Sequence, residues 1–142
     1  MTKEEAELWI KRLEGGNSDD AYRPSTNLSI VLRLMLHSHI KMAAICSLSV
    51  GDYRRREYIS ARNAEYCYPF EVAEEDDEIV RKHIRKNQLG ECDKIITVSD
   101  RALRFKFQNL VSVYYTGGRR PEIGDFYFAG LGIENNKSMR RN

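Results

Sequence analysis

Cations and aromatic rings alternate in three stretches of this chain: Tyr53-Arg54-Arg55-Arg56-Glu57-Tyr58, Arg104-Phe105-Lys106-Phe107, and Tyr114-Tyr115 followed by Gly117-Gly118-Arg119-Arg120. Guanidinium and ammonium groups neutralise phosphates, and flat π-faces stack on bases. This pairing of residue types therefore suits single-stranded nucleic acid. The same pattern is also that of an ordinary sheet with rings inside and cations outside.

The three stretches differ in detail. Consecutive Arg54, Arg55 and Arg56 cannot all leave a strand on the same side, and a buried arginine needs a partner. Either the sheet is open on both faces there, or the segment is a loop; Arg62 joins the same patch. In the second stretch, alternation groups Leu103, Phe105 and Phe107 against the core and leaves Arg104 and Lys106 for phosphate. The third is a two-glycine turn carrying Arg119 and Arg120, where backbone amides can approach an anion, although no P-loop Lys-Ser pair follows. Arg54, Arg55, Arg56, Arg104 and Lys106 are expected to share one electropositive surface.

Enzyme chemistry has fewer candidates. His37 and His39, at i,i+2, would point to one side of a strand and could serve as acid and base in a small nuclease or transferase. No GxSxG, HExxH, Walker A or dinucleotide fingerprint occurs, and nothing marks a metal or cofactor site. Cys46, Cys67 and Cys92 are odd in number and widely spaced, which points to the cytoplasm or another reducing compartment.

The elements that must position these residues come from size and patterning. A chain of 142 residues fits a single domain, here residues 1–133, with a basic, mobile tail over 134–142. The net charge of +2 is too small for a dedicated duplex-DNA binder, so any anion site is a local patch. The longest apolar stretch, 28–50, is interrupted by Arg33, His37, His39 and Lys41 and does not span a membrane.

Thr2 and Glu5 predict a capped helix that ends at Gly15-Gly16, with Trp9 and Ile10 largely buried against the sheet. Period-two patterning over 28–50, turning at His37-Ser38-His39, favours a hairpin over the competing buried helix of 27–46. A third strand covers Tyr53 to Tyr68. A second helix, about 73–89, carries acids in its first turns and bases in its last. Four short strands follow: Lys94–Val98, Ala102–Phe107, Leu110–Thr116 and Ile123–Ala129.

The expected fold is α+β: an antiparallel sheet of about six to seven strands with two packed helices. The expected function is non-catalytic binding of an anion, nucleic acid first, as RNA or a single strand. The alternative is a small oligomeric structural, matrix-like or inhibitory protein, of the kind found in viruses and phages, self-associating through Tyr127 on an exposed last strand.

Overall fold

Polar residues at helix starts organise the chain into far more helix than its alternating patterns predict. The computed structural model describes residues 1–15, 25–60, 63–115 and 117–133. Arg62, the residues just after Gly15 and the 134–142 tail lie outside them. The Thr2 hydroxyl accepts from the Glu5 N–H at 3.1 Å and opens α1, Lys3–Gly15, which buries Ala6, Ile10 and Leu13. Trp9, expected inside, is only half-buried, with the Arg12 guanidinium 5.0 Å from its ring centre.

The hairpin expected over 28–50 is not formed. Ser25 accepts from the Leu28 N–H and starts α2, Thr26–His37, in which Leu28 through Leu36 are all buried. α2 is the central helix, packed by α1 and by four helices that follow it: α3, Met42–Ser47; α5, Glu74–Lys86; α6, Asp100–Tyr114; and α7, Asp125–Gly130. Between α3 and α5 come α4, Val50–Arg55, and the strands β1, Glu57–Ser60, and β2, Asn63–Pro69. A helix enclosed on all sides is apolar on all sides, so period-two and period-3.6 positions in it look alike.

The six-to-seven-strand sheet is likewise overturned. The only sheet among the described residues is the antiparallel pair β1–β2, in which Tyr58 faces Tyr68 and Ile59 faces Cys67. Residues 102–107 and 110–114, expected in two strands over 102–107 and 110–116, lie in α6; Thr116 is outside the described residues. Ser99 accepts from the Ala102 N–H at 3.1 Å, so Ser99-Asp100 is a helix cap and not a turn between strands. The last expected strand, Ile123–Ala129, is largely α7, which removes the exposed strand edge that motivated self-association through Tyr127.

The segment after α5 ties the halves together. Val50 and Gly51 donate to the carbonyls of Asp93 and Glu91, and Ile95 donates back to Leu48. A Cβ on Gly51 would lie 2.8 Å from the Glu91 carboxylate and 3.3 Å from its carbonyl, so a side chain there would displace that carboxylate and press on the backbone. Among the described residues no helix is long and apolar enough to cross a membrane.

Candidate anion-binding cleft

Ser49 and Asp52 cap α4 reciprocally: the Asp52 N–H donates to the serine hydroxyl at 3.0 Å, and the Ser49 N–H to the aspartate. The helix is short and ends at Arg56, whose φ of 59° and ψ of 42° place a non-glycine residue in the left-handed region. That turn sends the Arg56 side chain back over its own helix. Its guanidinium lies 4.4 Å from the Tyr53 ring centre, donates to the Tyr53 carbonyl at 2.7 Å and reaches Asp77 at 3.0 Å.

Asp77, on α5, is the hub. It accepts from the Tyr53 hydroxyl at 2.6 Å, from Arg56, and from Arg81 Nε at 2.7 Å. Burial opposes its charge, but the bonds from Tyr53 and Arg56 outweigh that and hold its carboxyl below the usual range. Burial, then the bond to Asp77, push the Tyr53 phenol up, so Tyr53 is a neutral donor.

Around this hub opens a cleft of about 620 Å³ lined by Tyr53, Arg54, Arg56, Arg81, Ile84 and Arg85. Its four guanidinium groups face two carboxylates, Asp77 and Glu91, the latter 2.8 Å from Arg54. Arg85 forms no ion pair among the described residues. Each guanidinium has five N–H donors, and these contacts engage only some of them. The C-terminal half of α5 disfavours an anion by less than about 1 kcal/mol, a smaller effect than the surplus cations.

The structure brings together only part of the expected set. Arg54 and Arg56 line the cleft, while Arg55 turns to Asp52 at 2.7 Å. Arg104 pairs with Asp100 at 2.7 Å on α6, where Lys106 is half-buried, and neither lines the cleft. Arg119 lies 3.6 Å from Asp125, and Arg120 bonds the Gln108 carbonyl and the Ser112 hydroxyl. Tyr127 is half-buried on α7 with Lys41 above its ring. Arg81 and Arg85 escaped the sequence reading because their i,i+4 spacing on an amphipathic helix reads as a solvated face. Arg81 does pair with Asp77 along that helix, and it stands on the wall of the cleft.

His37 and His39 do not form a pair. His37 closes α2 and is clamped on both ring nitrogens, by Asp76 at 2.7 Å and by Glu7. Hydrogen bonding to Asp76 dominates over burial, with Glu7 adding to it, and raises its pKa to about 9. An imidazolium at neutral pH cannot act as a general base. The carboxylates sit on opposite ring nitrogens and cannot converge on one ion; among the described residues no three His, Cys, Asp or Glu side chains are grouped to hold a metal.

The same cluster contains Arg33, which holds Glu14 through Nε at 2.9 Å and Nη2 at 2.6 Å, and Asp76 through Nη1 at 2.8 Å. Arg33 alone in the apolar run 28–36 was the available signal, since a buried cation requires partners.

No protein-family model, curated protein sequence or solved structure matches the chain.

Proposed function

We propose that the protein is a non-catalytic binder of phosphate-bearing chains, RNA or single-stranded DNA, and that the arginine cleft holds the phosphates. The supporting observation is the convergence of Arg54, Arg56, Arg81 and Arg85 on one concave surface. The planar guanidinium fork matches phosphate oxygens two at a time. The cleft volume falls within the roughly 300–1,000 Å³ of small-ligand sites, and walls of low dielectric concentrate the field of clustered cations.

Titration of a labelled thymidine 20-mer into the full chain between 50 and 200 mM salt tests this. Affinity should fall steeply with salt, and Arg81→Ala with Arg85→Ala should flatten the slope by about one unit per lost phosphate contact. Arg104→Ala should change little. No binding at low salt, or equal losses in the cleft and Arg104 variants, would overturn the reading.

A second reading, self-association, rests on α6, whose outer face carries Phe105 at 70% exposure and Val113 at 46%. Light scattering across micromolar concentrations, with Phe105→Ser as the variant, distinguishes it.

A further inference from the structure

A second depression lies against the hairpin. It encloses about 290 Å³, and its walls include His39, Lys41, Tyr58, Tyr68 and Tyr127. Tyr58 and Tyr68 are cross-strand partners with ring centres 5.6 Å apart, tilted by 31°. Lys41 Nζ stands 5.6 Å from the centre of the Tyr127 ring. Burial, reinforced by the neighbouring Tyr127 and Tyr68 hydroxyls, raises the pKa of Tyr58, which keeps its phenol a neutral donor. None of the described residues lining this space is acidic.

The two clefts are joined by packed rings. Phe70 is 6.1 Å from Tyr53, on the wall of the arginine cleft, and 6.1 Å from Tyr58, on the wall of the other. The Tyr53 and Tyr58 rings are therefore no more than about 12 Å apart, twice that separation. Proteins that bind single strands combine a cationic track with aromatic platforms over about 4–16 nucleotides, a length sufficient to reach both clefts.

We propose that the tyrosine cleft is a base-stacking subsite, and that the ligand is a single strand whose phosphates lie in the arginine cleft while an unpaired base enters among Tyr58, Tyr68 and Tyr127. This rests on the phosphate-binding reading above. The chemistry follows from the walls. Phenol faces accept any base, tyrosine hydroxyls and the Lys41 ammonium donate to base carbonyls, and the lack of a lining acid disfavours a cationic ligand. A base inside a duplex has both faces covered by its stacked neighbours, so duplex interior is excluded from this subsite.

The test compares a labelled thymidine 12-mer with an abasic oligonucleotide of the same length, both titrated into the full chain. Wild type should bind the thymidine strand roughly 10- to 100-fold more tightly. Tyr68→Ala, at a residue 39% exposed, should remove that difference while leaving abasic affinity intact, whereas Arg85→Ala should weaken both. A 5-iodouracil strand should photocrosslink to peptides carrying Tyr58, Tyr68 or Tyr127, a readout that needs no variant to fold. Equal wild-type affinity for the two strands, or crosslinks elsewhere only, overturns the base subsite while leaving phosphate binding standing. Binding of neither strand overturns both.

Discussion

Arg33 of α2 and Asp76 of α5 meet at 2.8 Å, with the arginine side chain 9% and the aspartate side chain 1% exposed. Neither charge can be rehydrated in place, so each depends on the other and on the partners around them. Glu14 shares Arg33 from α1, and His37 shares Asp76 from the end of α2. Three helices are thereby fixed in register by charge as well as by apolar packing.

Removing one member of this group should be costly. Asp76→Ala leaves Arg33 and His37 facing a neutral pocket and is expected to destabilise the fold by about 3–5 kcal/mol. Urea denaturation followed by circular dichroism measures it. A loss below about 1 kcal/mol would show that water reaches the site.

His37 predicts a pH dependence of definite sign. Its folded pKa of about 9 lies above the ordinary 6.5, so its contribution is fully present below pH 6.5 and is lost as pH rises toward 9. Asp76, held below its ordinary value by His37 and Arg33 against the effect of burial, contributes from the other side and is lost only in acid. The unfolding free energy from urea titration should decline between pH 6.5 and 9, by on the order of 3 kcal/mol at most, and His37→Gln should remove that decline.

Gly130 of α7 lies against the end of α2. A Cβ there would overlap the Leu36 carbonyl and come within 3.0 Å of the His39 ring. Gly130→Ala should cost about 1–3 kcal/mol, as overpacking does, and lower the melting temperature measurably. A neutral result would mean that α7 can slide on α2.

Two phenylalanines two residues apart on α6 should behave oppositely. Phe107 is fully buried and meets Phe126 edge-on at 5.7 Å, so Phe107→Ala is expected to cost about 3–5 kcal/mol. Phe105→Ser should stay within about 0.5 kcal/mol. Comparing their thermal unfolding tests the helix directly, because a strand would bury both.

That pair also shows what the sequence could and could not reveal. Over the six residues Ala102–Phe107, a helical face at i and i+4 and a strand face at i, i+2 and i+4 both contain Leu103 and Phe107. They differ only in Phe105. Extending the window to Leu110 and Val111, both buried, recovers the helical spacing. α1 and α5 were legible because each has one wet face. α2 was not, because it has none, and only its Leu, Met and Ala content favoured the competing helix of 27–46. In the arginine cleft, Arg54 and Arg56 were legible by type, but their partners Arg81 and Arg85 arrive from an element some 25–30 residues on, and no local pattern carries that juxtaposition.

At Arg56 backbone strain is balanced against side-chain contacts, and on the proposed reading phosphate binding depends on the same side chain. Its left-handed backbone costs an arginine about 1 kcal/mol and a glycine nothing. Arg56→Gly would relax that turn while giving up the cation above Tyr53 and the bond to Asp77, so the unfolding midpoint should move little. Oligonucleotide affinity should fall all the same. Repeated selection for folding alone in the laboratory, with no ligand present, should therefore let arginine and glycine drift in and out of this position at nearly equal fitness.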